Sequence, residues 1–150
     1  MVGTKACLPE KREVEMIPDD RPGQIFLVIG AISAAVSVLA GAFGSHALKE
    51  TESAEMLSVF DTASRYQMYH ALGLLVLAVG NGLWGNDHRR GFLLAGILFI
   101  NGTILFSGSL YVFVLADARW VTALTPLGGI SFFAGWLVLA WSGRKQRSTT

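Results

Sequence analysis

The chain has 150 residues, of which 52% are hydrophobic and only 15% charged, with a net charge of +1. That length suits one domain, and so few charges exclude an ordinary soluble surface. The near-neutral balance excludes attraction to nucleic acid by bulk charge, and the single cysteine, Cys7, excludes an intramolecular disulfide or a cysteine zinc site.

Residues 1–23 mix charges of both signs, contain Pro9, Pro18 and Pro22, and show no apolar period. This composition predicts a flexible tail. Four apolar runs follow, at 24–45, 66–84, 92–116 and 121–141, each 19 to 25 residues long and almost free of charge. A helix of that length crosses a hydrocarbon core of ~30 Å, and the mean hydropathy of +0.48 agrees. Arg21 ahead of the first run and the small residues Ala40, Gly41 and Ala42 also fit a signal peptide. The run is, however, longer than an h-region of ~7–15 residues, so an uncleaved anchor is expected.

The connections at 85–91 and 117–120 are short and force their helices antiparallel. The longer one, 47–65, places Met56, Val59, Phe60 and Ala63 at helical spacing with Glu55, Ser58, Asp61 and Thr62 between them. It predicts an amphipathic helix at the membrane interface, with Ser53 as its N-cap. The expected fold is all-α: a four-helix transmembrane bundle over 24–142, with this interfacial helix between helices 1 and 2 and a short basic tail at 143–150.

With four spans, the tails and the 85–91 loop share one side. That side holds nine basic residues, including Arg89, Arg90, Arg144 and Lys145, against Lys49, Arg65 and Arg119 on the other. The excess predicts cytoplasmic termini in a bacterial inner membrane, with Trp84, Trp120 and Trp141 as interfacial anchors. Small residues supply packing ridges: Ser33, Ser37, Gly41 and Ser45 in helix 1, Gly128, Ser131 and Gly135 in helix 4, and Gly91, Ala95 and Gly102 in helix 3, where Asn101 and Gly108 share a heptad face.

This topology gathers a polar constellation in the outer half of the bundle: His46 ending helix 1, Arg65, Tyr66, Gln67 and His70 opening helix 2, Asn101, Ser107 and Ser109 in helix 3, and Thr125 opening helix 4. Gln67 and His70 are three apart and share a face with Tyr66. Arg65 reaches the aqueous boundary by snorkelling, and a protonated His46 would gain from the helix dipole. An ionisable group inside a span is a functional candidate. The plainer reading is that Gln67 and His70 pin helices together by hydrogen bonds, each worth a modest ~0.6 kcal/mol. His46 and His70 are the minimum for bis-histidine haem ligation, but no second pair exists. No cluster at metal-ligand spacing, phosphate loop or nucleophile elbow appears. No cofactor is therefore expected, with haem and quinone left open.

The stretches GAFGSHALK, TASRYQMYHALGLL, LFSGSLY and TPLGGISFFAGW resemble, in that order, the YgdD-like family of small membrane proteins, domain of unknown function 423. The resemblance spans residues 25–141 and implies a four-span inner-membrane protein; it implies no activity. The leading expectation is a non-enzymatic membrane protein, a structural subunit or a helper that binds membrane components. The alternatives are a small transporter or channel using the outer-half pocket, and a lipid- or quinone-linked redox or enzyme subunit with His70 as proton donor. Expected partners are membrane lipids, and other membrane proteins or further copies of the chain, but not nucleic acid.

Overall fold

The computed structural model describes residues 21–84 and 88–144. Of the tails expected at 1–23 and 143–150, residues 1–20 and 145–150 lie outside the described residues, as do positions 85–87 of the second connection. Among the described residues every regular element is helical: α1 (Arg21–His46), α2 (Ala54–Trp84), α3 (Arg89–Gly102), α4 (Ser109–Ala116) and α5 (Thr125–Gly143). Short 3-10 turns at Leu48–Glu50 and Arg119–Leu124 join them, and a π-helical segment, Thr103–Gly108, joins α3 to α4 in one rod. Three stretches are long and apolar enough to cross a membrane: Arg21–Glu50, Arg89–Ala116 and Arg119–Gly143. The α2 rod is not among them.

Local chemistry explains the boundaries. Helix α1 is described from Arg21, ahead of the apolar run at 24–45, and carries Pro22, which has no backbone N–H to donate, at that end. At the N-terminus of α2 the Ser53 Oγ accepts from the Met56 N–H at 3.3 Å, so Ser53 caps the helix. No glycine or proline occurs from Ala54 to Leu72, and α2 runs unbroken for 31 residues. The interfacial helix expected between helices 1 and 2 is therefore not a separate element; its residues form the first third of α2. At ~1.5 Å per residue α2 is about 46 Å long, well beyond the hydrocarbon thickness. Helix α4 stops at Asp117, in the left-handed region at φ 48°, a conformation that an aspartate tolerates better than most side chains.

Helices α1 and α2 lie antiparallel along a ladder of close approaches. Gly30 faces Ala71, whose carbonyl would be 3.0 Å from any added Cβ. Ser33 faces Gln67, Ser37 faces Ser64, and Gly44 faces Phe60. Phe26, Leu74, Leu77, Ala78, Phe92, Ala95, Phe99 and Phe132 make the main core, and Leu48, Phe60 and Val114 a smaller one. Helix α5 closes on the third rod through Gly135, where a Cβ would come within 2.7 Å of the Phe99 ring, and through Ser131, which donates to the Leu98 carbonyl at 2.8 Å. The outward residues are large and apolar, Leu39, Val79, Ile130 and Phe133 among them, as a lipid-facing surface requires.

The π segment changes the phase of the third rod. Thr103 Oγ1 donates to the Phe99 carbonyl at 2.9 Å, a back-bond that loosens the regular ladder at this point. On either side of this wider turn Gly102 and Ser107 are both buried. Asn101 faces outward.

Candidate functional site

The polar residues of the constellation divide into two tiers. The inner tier is a seam that ties α1, α4 and α5 to α2. Gln67, 6% exposed, donates from Nε2 to the Ser33 carbonyl at 3.1 Å, and its Oε1 accepts from the Tyr111 hydroxyl at 2.9 Å. One turn earlier the Ser37 hydroxyl donates to the Ser64 carbonyl at 2.8 Å. Gln67 thus bridges α1 and α4 with both ends of its amide.

His70 does the same for α5. Its Nδ1 lies 2.7 Å from the Tyr66 carbonyl, and the Trp136 Nε1–H donates to its Nε2 at 3.2 Å. A carbonyl only accepts, so Nδ1 carries the proton and Nε2 offers the lone pair. The imidazole stacks on Phe132 with 3.3 Å between ring centroids and 6° between planes, and Phe99 closes a further side at 5.4 Å. With both bonds in place, neither nitrogen is available to a metal or ligand. Between α4 and α5, Ser109 donates to the Phe106 carbonyl at 2.9 Å and accepts from the Thr125 hydroxyl at 2.7 Å.

The remaining candidates are placed differently. Ser107 is buried at 1% exposure with no hydrogen-bond partner for its hydroxyl. Tyr66 is part-exposed, with its ring on Phe106 at 4.8 Å. Asn101 lies outside the seam on the far face of its rod. Arg65 and His46 are exposed, and Arg65 pairs with Asp61 one turn before it. Along the α1–α2 ladder His46 lies beyond Gly44, which faces Phe60. His70 is ten residues further down α2, about 15 Å at ~1.5 Å per residue. The two imidazoles therefore belong to different depths and cannot ligate one haem.

The outer tier surrounds a hollow. An open cavity of about 260 Å³ lies between the end of α1 and the first third of α2, lined by Gly41, Gly44, Ser45, Lys49, Leu57, Phe60 and Asp61. Two glycines shape it on the α1 side: a Cβ on Gly41 would meet only the Ser64 Oγ, at 3.7 Å, whereas one on Gly44 would press on the Phe60 ring at 2.9 Å. The wall is largely apolar, with an ammonium and a carboxylate at its rim.

Sequence reasoning singled out neither Lys49 nor Leu57, nor Tyr111 and Trp136 as partners of Gln67 and His70. Tyr111 closes the LFSGSLY stretch and Trp136 closes TPLGGISFFAGW. Their presence in those two stretches was the available signal.

Comparison with known proteins agrees with the apolar character of the chain. The profile of the family described as a protein of unknown function, DUF423, matches residues 40–129. The UPF0382 membrane protein SSP2132 of Staphylococcus saprophyticus is 43% identical over 116 residues, covering 77% of this chain and 93% of that one. The UPF0382 membrane protein YwdK of Bacillus subtilis is 39% identical over 117 residues, with 77% and 93% covered. The UPF0382 inner membrane protein YgdD of Escherichia coli K12 is 37% identical over 120 residues, with 77% and 86% covered. No solved structure matches. With the profile covering more than half of its length and such relatives over three quarters of it, this chain belongs to the DUF423 family of membrane proteins of unknown function.

Proposed function

We propose that the protein is a four-span, non-catalytic inner-membrane protein whose outer cavity holds a phospholipid. The observation that carries this reading is the contrast between the tiers. Both ends of the Gln67 amide and both ring nitrogens of His70 are engaged by protein groups, while the hollow lies one level further out, beside charges. Lys49 at the rim suits a lipid phosphate, and Leu57, Phe60 and the bare backbone of Gly41 and Gly44 suit an acyl chain.

Two features support α2 as the fourth span. It lies along α1 from Phe60 to Leu74, and α1 is itself apolar enough to cross. Its polar residues Gln67, His70 and Asn81 are buried among the other rods, so they lower its hydropathy without meeting lipid. Four crossings return both termini to one side, and the excess of Lys and Arg there favours the cytoplasm.

Native mass spectrometry after gentle release from the membrane tests the reading. Wild type should retain one phospholipid, and Gly41→Leu, which fills the cavity, should lose it without a fall in melting temperature. Wild type released bare, or Gly41→Leu retaining the same lipid, would refute it.

A further inference from the structure

The third rod carries a second apolar stripe, turned away from the bundle. Leu94, Ile97, Asn101 and Ile104 follow one another at spacings of three, four and three, and all four are exposed. Ala95, Phe99 and Gly102, on the opposite face, are buried. A three–four spacing of large apolar residues is the seam of a helix pair, and one asparagine within such a seam fixes register and the number of helices. Among the described residues the stripe has no packing partner.

Asn101 makes the stripe more than a lipid-facing surface. It lies near the midpoint of Arg89–Ala116, twelve residues from Arg89 and sixteen from Asp117, about 18 and 24 Å along a helix. Its amide therefore falls inside a hydrocarbon core of ~30 Å. Among the described residues nothing hydrogen-bonds to it, and lipid tails supply neither donor nor acceptor. An unpaired amide there is costly.

The amide is also self-complementary: one side chain provides both a C=O and an N–H. Across a twofold axis a residue meets its own copy at its own depth, and two Asn101 side chains satisfy each other. A different partner would need an amide-like group at that same level, whereas a second copy always has one. We propose that the chain self-associates through this face. Chains inserted the same way round pair about an axis normal to the membrane, with the two third rods parallel, Asn101 against Asn101, and Leu94, Ile97 and Ile104 packed around that contact. The face is on the third rod and the lipid cavity between α1 and α2, so the two proposals stand or fall separately.

Energy transfer between donor- and acceptor-labelled full-length chains in phosphatidylcholine vesicles, diluted progressively with lipid, measures the association. Asn101→Leu should weaken it about 3- to 30-fold, and Asn101→Gln should keep most of it. In a Cys7→Ser background, Ile97→Cys and Ile104→Cys should oxidise to crosslinked dimers while Ile130→Cys on α5 should not. The cysteine variants keep Asn101, so they report on the interface even if Asn101→Leu disturbs the fold. Wild type monomeric at every dilution, Asn101→Leu associating as wild type, or crosslinking at Ile130 but not Ile97 would overturn the proposal.

Discussion

Gly128 offers the sharpest test of the packing. It is buried where α5 meets the π segment. A Cβ there would fall on the backbone of Phe106, meeting its nitrogen, its Cα at 2.8 Å and its Cβ at 2.7 Å. Real Cβ atoms do not approach so closely, and no side-chain rotation relieves a contact with backbone. Gly128→Ala must therefore push α5 away from the third rod, and the Thr125–Ser109 bond one turn earlier loosens with it. Overpacking of this kind costs ~1–3 kcal/mol, enough to outweigh the ~1 kcal/mol that alanine gains over glycine in a helix. Gly41→Ala is the control. There the nearest atom, the Ser64 Oγ, is 3.7 Å from the new Cβ, an ordinary contact. Only the helix-propensity gain remains, so Gly41→Ala should be neutral or more stable by up to ~1 kcal/mol. Thermal unfolding in one detergent, followed by circular dichroism, compares the two. Equal melting temperatures for both variants would show that α5 does not meet the third rod as described.

The His70–Trp136 bond can be isolated by a double-mutant cycle: Trp136→Phe should cost ~0.6 kcal/mol and His70→Asn ~1–3 kcal/mol, since it also loses the Phe132 stack. The double variant should be no less stable than His70→Asn alone, and simple additivity would refute the pairing. For topology, cysteines replacing Ser53 and Asn86 in a Cys7→Ser background should react with an impermeant maleimide from outside and only after permeabilisation, respectively. The reverse pattern would overturn the proposed orientation.

Helix content and the three rods long and apolar enough to cross a membrane were legible because long charge-free runs leave few alternatives. The placement of the constellation was less so. Reading 47–65 as a separate interfacial helix set the end of α1 level with the start of the 66–84 run and left His46 only about one turn above His70. The unbroken α2 instead sets the end of α1 against the turn containing Phe60 and lifts His46 to a different depth. Asn101 was expected on the inner side because a heptad count assumes an even helical phase, and the π segment breaks that phase just after it. Among small residues the sequence offered no ranking. Gly41 belongs to the four-residue ridge with Ser33, Ser37 and Ser45, yet its surroundings are open, while Gly30, outside that ridge, touches the Ala71 carbonyl and the Leu74 side chain. Spacing reports which face a residue shares; only the partner helix decides how close the backbones come.

The same reasoning explains why the least apolar rod is the most enclosed. A polar side chain in hydrocarbon is costly unless its donors and acceptors are met inside the protein. Gln67 requires a carbonyl on one side and a hydroxyl on the other, and His70 requires an acceptor and a donor. Those demands are met by groups on three other helical segments, Ser33 in α1, Tyr111 in α4 and Trp136 in α5, together with the Tyr66 carbonyl of α2 itself. A helix carrying both residues must therefore turn that face inward, and its outward face at that level, with Tyr69 and Leu72, carries no polar amide or imidazole. The hollow lies instead where the exposed Lys49 and Asp61 flank it and Arg65 pairs with Asp61, and among the described residues no buried polar side chain is left unpaired there. The polar seam and the cavity are thus consequences of one constraint acting at two depths along α2.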